Sequence, residues 1–148
     1  VPTAMLRTGQ VLSPDGGILG RLRPLFAAGL GGRIGSGRQF VSWITLEDYL
    51  RAVTWLLTSD LTGGVNLCAP NPVTNAALTR AIGRLVNRPT VLPVPLTAVK
   101  AVFGRQFVDE LLLTSTRARP ARLLDAGFSF THPDLNQAFS AMRAAKAG

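Results

Sequence analysis

Apolar residues along this chain first recur at the short spacing of strands and then at the wider spacing of helices. Residues 5–12 (MLRTGQVL) read as a short strand and its exit. Ser13-Pro14-Asp15-Gly16-Gly17 is a turn, because proline presets φ and glycine admits positive φ. Residues 18–28 (ILGRLRPLFAA) have helical spacing, and Pro24 predicts a bend there. A glycine-rich loop follows over 29–37, then a second strand over 40–44 (FVSWI). Thr45, with Asp48 three residues on, predicts a capped helix start. Leu46, Leu50, Val53 and Leu57 give that helix an apolar stripe, and it runs to Thr58. Gly63-Gly64 closes the turn before a buried strand over 65–69. Asn71-Pro72-Val73-Thr74-Asn75 leads into a helix over 76–86.

Prolines mark 90–95 as extended and as loop or sheet edge. Helical spacing returns over 96–103, 108–113 and 118–126, and Pro133 is expected at the first helical position of a last helix ending at Ala145. Strands therefore alternate with helices first, which predicts parallel strands with crossover helices. A mostly helical segment follows. The strands are too few for a complete doubly wound sheet. Parallel sheets are covered on both faces, so an apolar sheet edge is expected to lie open.

The bulk composition sharpens this picture. The chain has 148 residues, enough for one domain with a core. Only 16% of residues are charged while 47% are hydrophobic, against a usual charged fraction of about 25%. That imbalance predicts more apolar surface than a small domain buries by itself, which a missing partner or missing N-terminal residues would explain. The chain opens Val1-Pro2-Thr3-Ala4-Met5, which reads as the interior of a longer protein. The single cysteine, Cys68, excludes an internal disulfide, and a reducing, cytoplasmic setting is expected. No run approaches the ~18 apolar residues of a membrane helix, so no membrane partner is expected.

Net charge is +8, carried almost wholly by arginine, with lysine only at Lys100 and Lys146. Arg80, Arg84 and Arg88 fall on one helix face. A solvated face, or one that docks on an acidic partner, accounts for them; nucleic acid is the weaker alternative, since no aromatic residues interleave.

Several catalytic patterns are missing from the sequence. No G-x-G-x-x-G joins a strand to a helix, and the 29–37 loop runs instead into a strand; a mobile loop explains it better than a phosphate cradle. No Gly-Lys-Ser/Thr tripeptide occurs. The one tyrosine, Tyr49, has Val53 four residues on, where a reductase pair would place lysine. His132 precedes Pro133-Asp134 and reads as part of a helix entry. Cys68, in an apolar strand, reads as a buried thiol. Trp43 and Trp55 read as core.

Three runs carry a family resemblance: Leu6-Arg7-Thr8-Gly9-Gln10-Val11-Leu12-Ser13-Pro14-Asp15-Gly16-Gly17, residues 29–44 (GLGGRIGSGRQFVSWI), and residues 65–75 (VNLCAPNPVTN). A weaker fourth is Arg122-Leu123-Leu124-Asp125-Ala126-Gly127-Phe128. Together they resemble the C-terminal half of the epimerase-family proteins of the extended or atypical short-chain dehydrogenase/reductase superfamily. From about Pro93 the chain resembles the small helical domain of unknown function, DUF1731, that closes them. The resemblance implies an α/β fold. Residues 1–92 would be the C-terminal portion of a Rossmann-like epimerase domain, and residues 93–148 a small helical domain on the substrate side. An N-terminal Rossmann half would then be the missing partner, holding the glycine fingerprint and, in active relatives, a Tyr-x-x-x-Lys pair. The implied cofactor is NADP or NAD. Thr8, Gly9 and Val11 would lie beside the nicotinamide, and Gln10 where epimerases place a substrate-contacting Asn. Asp48 matches a family aspartate that caps a helix. One departure is Val41, where sugar-nucleotide enzymes carry a pyrophosphate-binding Arg. Arg38 is either its substitute, forking onto phosphate, or a solvated loop charge. The resemblance implies an NAD(P)-dependent epimerase or reductase acting on a small molecule such as a nucleotide sugar, with this chain inactive alone. The alternative is a stand-alone binding or structural module.

Overall fold

The computed structural model describes residues 1–109 and 115–148. Strands β1 (Ala4–Thr8) and β2 (Gln10–Ser13) are followed by helix α1 (Gly17–Ala27). Strands β3 (Phe40–Val41) and β4 (Trp43–Thr45) lead into α2 (Leu46–Leu57). Strand β5 (Gly63–Leu67), strand β6 (Val73–Thr74) and helix α3 (Asn75–Leu85) come next. The chain closes with α4 (Leu96–Phe103), α5 (Arg105–Phe107), α6 (Ala121–Asp125) and α7 (Leu135–Ala147). The helix expected over 108–113 lies largely outside the described residues.

Strand β1 runs parallel to β5, with Leu6 opposite Val65. Strand β2 runs parallel to β4, with Val11 opposite Ile44. Strand β3 pairs antiparallel with β6. Two strands expected to be continuous are thus divided, each at a residue whose backbone serves another element. The first breaks at Gly9, whose N–H still bonds to Leu67 while the next N–H, of Gln10, bonds to Ser42. The sheet forks there. The second breaks at Ser42, whose carbonyl takes that Gln10 bond. The Ser42 hydroxyl donates to the Thr116 carbonyl and accepts from the Ala118 N–H, fastening the 115–118 segment to the fork.

A core of Leu12, Leu19, Leu22, Phe26, Trp43, Leu78, Ile82, Phe139 and Met142 joins α1, α3 and α7 to strands β2 and β4. A second cluster packs α2 against β5 through Ile44, Ala52, Val65, Leu67, Leu123 and Phe128. Trp43 is fully buried, and its indole N–H donates to the Asn71 carbonyl at 2.9 Å. Trp55 is half-buried, edge-on to Phe128 at 5.9 Å. Helix α1 continues through Pro24, which sits on its exposed side. Pro133 lies outside the last helix; Asp134 is its N-cap residue, and the first helical residue is Leu135. The Asp134 carboxylate accepts from the Asn71 side chain at 2.7 Å and does not cap its own helix.

Helix α2 begins as its cap residue implies: the Thr45 hydroxyl accepts from the Asp48 N–H. The Asp48 side chain does not reach back to Thr45. It is fully buried and accepts from the N–H groups of Thr131 (2.9 Å) and His132 (2.8 Å) and from Arg51 (2.7 Å). One carboxylate therefore ties the C-terminal segment to α2. The apolar stripe of α2 points largely away from the core: Leu46 and Leu50 are exposed, and Leu57 is 82% exposed. Of the stripe, Val53 alone packs on the second cluster, and Tyr49, Ala52, Trp55 and Leu56 make the other contacts. Strand β1 has a related peculiarity. It pairs with β5 alone, so among the described residues no strand lies along its second edge. Its successive residues Met5 and Leu6 point to opposite faces, yet they are 60% and 41% exposed. A parallel strand bare on both faces departs from the usual burial of such sheets.

Candidate functional site at the carboxyl end of the parallel strands

Ligands of open α/β sheets bind in the crevice beyond the carboxyl ends of the strands, because the loops and helix starts there can be varied without disturbing the core. In the β1–β5 pair that end is at Thr8 and Leu67, where the sheet forks into β2 at Gly9–Gln10. Thr8 is exposed at the last position of β1. A Cβ on Gly9 would sit 2.9 Å from the Ser42 carbonyl oxygen, so the two backbones approach too closely for any other residue. Gln10 and Val11 open onto a cavity of about 570 Å³, lined also by Gly17, Ile18, Arg21 and Phe107. The other side of Val11 packs on the α2–β5 cluster.

The cavity has a positive rim. Helix α1 starts at its wall with no side-chain cap and no acidic residue in its first turn. The start of a helix favours anions, since its N–H groups and dipole point outward. The Arg21 guanidinium stands 5.3 Å over the Phe107 ring, which holds it by cation–π attraction. Arg21, Ile18 and Phe107 were not singled out by the sequence. A helical-wheel reading places Arg21 on the exposed face of α1, and nothing in the sequence pairs it with a phenylalanine 86 positions later.

Arg38 does not line this cavity; it is exposed on the loop ahead of β3, where its N–H donates to Ser36. The structure thus gathers Gln10 and Val11 in one cavity, with Thr8 and Gly9 next to them in the chain, and sets Arg38 on another loop. The glycine-rich loop is fastened at several points. The Ile34 N–H donates to the buried Asn75 side chain, the Arg33 carbonyl accepts from Val94, and the Ile34 carbonyl accepts from Gln39. A phosphate cradle needs free N–H donors, and here those of Ile34, Gly37 and Arg38 are already taken, by Asn75, the Ile34 carbonyl and the Ser36 hydroxyl. A separate cavity of about 280 Å³ lies between this loop, α1 and α4, and every side chain lining it is apolar. It offers no polar side chain to fix a ligand.

Cys68 is buried just beyond β5, and loss of solvation pushes its thiol up to about 11, so it holds its proton at neutral pH. The His132 Nδ1 lies 3.3 Å from the Thr45 hydroxyl, and the His132 N–H is held by Asp48. Its place is at the joint between α2 and the C-terminal segment. Among the described residues no group of His, Cys, Asp and Glu is arranged to hold a metal ion. None of their helices is long and apolar enough to cross a membrane.

A dinucleotide needs a run of free N–H groups at a glycine-rich helix start for its pyrophosphate. Here the starts of α2 and α3 are occupied by the hydroxyls of Thr45 and Thr74, and α1, though its start has no side-chain cap, opens on Gly16-Gly17 without a G-x-G-x-x-G run. The residues present fit a wall beside one end of such a cofactor, at Thr8–Val11, and not its phosphate cradle.

Parallel strands with crossover helices, closed by a helical C-terminal segment, make this an α/β chain of the Rossmann-like epimerase fold, representing that fold's C-terminal portion. Residues 94–142 match the family described as Domain of unknown function (DUF1731). The chain is 55% identical over 135 residues to the epimerase family protein MT2273 of Mycobacterium tuberculosis, covering 90% of this chain and 44% of that one. It superposes on the crystal structure of human epimerase family protein SDR39U1, solved with NADPH, with a TM-score of 0.86 and 35% identity, covering 95% of this chain and 48% of the other. A nucleoside-diphosphate sugar epimerase from Corynebacterium glutamicum matches with a TM-score of 0.69 and 30% identity, over 96% of this chain and 26% of its own. The chain corresponds to the C-terminal half of an epimerase-family protein. It spans about half the length of the curated relatives it matches.

Proposed function

We propose that this chain is the substrate-side half of an NAD(P)-dependent epimerase- or reductase-like protein, completed by an N-terminal Rossmann half. The observation that carries this reading is strand β1. It is parallel, has among the described residues a strand partner on one edge alone, and exposes Met5 on one face and Leu6 on the other. A preceding strand would take the open edge, and crossover helices on the two sides of the sheet would cover the two faces. Leu57 and Val53 flank the same cleft as Leu6 and would be covered with it. Relatives about twice as long, one of them solved with NADPH, support the same assignment.

In the completed protein Thr8, Gly9 and Val11 flank the nicotinamide end of NADP or NAD, and Gln10 meets the substrate. Gly9 lets the Ser42 backbone close up against the fork. The cofactor supplies hydride transfer; this chain supplies shape and charge. The substrate is anionic, a nucleotide sugar being the class that fits best, and the uncapped start of α1 together with Arg21 receives its charge. Arg38 meets the distal part of a long substrate. General acid and base groups come from the upstream half, because Tyr49 is packed into the α2–β5 cluster and Cys68 keeps its proton.

Titration of NADPH and NADH, followed by nicotinamide fluorescence, tests this reading. The 148-residue chain alone is expected to leave the emission unchanged, and the chain joined to its upstream sequence to enhance it saturably. Tight binding by the chain alone would overturn the proposal.

A further inference from the structure

A second positive site lies at the far end of α3 from the sheet fork. Arg80, Arg84, Arg88 and Arg143 line an open groove of about 600 Å³, together with Asn87 and Thr90. Its frame is built with care. Helix α3 ends in a left-handed residue, Asn87, at φ 55°. The Asn87 N–H returns to the Arg84 carbonyl, and the Arg88 N–H returns to the Gly83 carbonyl at 2.9 Å, the paired bonds of a Schellman ending. Gly83 is buried, and a Cβ there would press on the Arg88 carbonyl oxygen at 2.8 Å, so the turn folds tightly back over the helix. These constraints fix where the Arg88 side chain leaves the backbone. From α7, Arg143 donates one N–H to the Arg84 carbonyl at 2.8 Å, which holds it across the groove.

The charge is uncompensated. Among the described residues the ion pairs are Arg23–Asp15, Arg51–Asp48 and Lys100–Asp109, and none involves the groove. Like charges at i, i+4, such as Arg80–Arg84 on α3, destabilise a helix, and the turn after the helix brings Arg88 to the same groove. One cation suffices to complement the carbonyl end of a helix, and Arg143 already occupies one carbonyl. Gathering four guanidinium groups around one groove costs stability that an anion would restore.

We infer that this groove binds a polyphosphate: a diphosphate or longer chain of phosphoryl groups, free or carried as the tail of a nucleotide. Guanidinium forks match phosphate oxygens two by two, and four guanidinium groups carry more positive charge than one orthophosphate can neutralise, which favours a longer phosphoryl chain. No aromatic side chain lines the groove, so it has no platform on which a base could stack. Recognition therefore rests on the phosphates and is indifferent to the base. The site is independent of the cofactor and substrate reading above.

Calorimetric titration of the full-length protein with inorganic triphosphate, orthophosphate, ATP and UTP tests the inference, with thermal unfolding alongside. Triphosphate, ATP and UTP are expected to bind alike and to raise the unfolding temperature, and orthophosphate to bind at least about tenfold more weakly. Arg84→Gln and Arg88→Gln are each expected to lose about tenfold or more in triphosphate affinity, the loss of one charge-assisted contact. Arg88→Lys keeps the charge but not the fork and should fall between. Arg105→Gln, an exposed arginine outside the groove, should leave affinity unchanged. An equal loss with Arg105→Gln, or no binding of triphosphate by the folded wild-type protein, would overturn the inference. So would strong preference for one base, or binding confined to long single-stranded nucleic acid.

Discussion

Asp48 has no exposed surface and accepts two backbone N–H bonds from a segment more than eighty residues away. A buried acceptor of this kind matters chiefly through what its removal strands. Asp48→Ala would leave the N–H groups of Thr131 and His132 without partners, at about 1–3 kcal/mol for each buried group. It would also release Arg51 from the carboxylate. We expect Asp48→Ala to lower stability by at least about 3 kcal/mol and Asp48→Asn by less, because the amide keeps one acceptor oxygen. Urea unfolding midpoints measure both; an unchanged midpoint for Asp48→Ala would mean the 129–132 segment does not depend on this joint. Cys68 gives a pH dependence of opposite origin. Its thiol ordinarily titrates at 9.0 and is pushed up to about 11 by burial. Between those values the unfolded chain has lost the proton and the folded chain keeps it, so stability falls as pH rises from 9 to 11. Cys68→Ala should flatten that decline, and at pH 8 a thiol reagent should label the native protein far more slowly than the urea-unfolded one. Rapid native labelling would contradict the burial.

Helices were the most legible elements. Thr45 and Asn71–Asn75 are local signals, and they mark the starts of α2 and α3 to within a residue. Strands were legible in place but not in partnership. Residues 5–12 and 40–44 look continuous because alternation reports which side chains are apolar, not which neighbour each backbone bonds. The breaks at Gly9 and Ser42 arise from bonds to Leu67, Gln10, Thr116 and Ala118, all distant in sequence. The stripe of α2 shows a different limit. Its helical spacing was plain, but Leu46, Leu50 and Leu57 lie on the side away from this chain's own core. Apolar periodicity predicts a buried face without saying what buries it. Of the candidate site, Thr8–Val11 could be proposed through family resemblance because those positions are contiguous. Arg21 and Phe107, and the fourth arginine of the α3 groove, come from separate elements. Only the packing of α1 on the 105–108 segment and of α7 on α3 brings them together.

Two parts of the molecule differ in how completely they are enclosed, and that difference has a dynamic consequence. Around β2 and β4, Leu12, Trp43 and Ile44 have no exposed surface, and helices α1, α2 and α3 pack over them. Backbone bonds in such a core open only through unfolding of much of the domain. Strand β1 has the same parallel hydrogen bonding but lies open on one edge and exposes Met5 and Leu6. Its bonds to β5 can open without disturbing the main core. Amide exchange should therefore divide the continuous segment 4–13 at Gly9. In the chain alone, the β1 amides are expected to exchange through local opening, well before those of β2 and β4. If an upstream half docks where we propose, joining it should slow β1 toward the rate of β4 and leave β4 nearly unchanged, since β4 is already enclosed. Hydrogen-exchange mass spectrometry with peptides ending on either side of Gly9 resolves the two segments. Equal protection of β1 and β4 in the isolated chain would show that β1 needs no cover. Slow exchange in the isolated chain that stays unchanged on joining would place the docking surface elsewhere on the molecule.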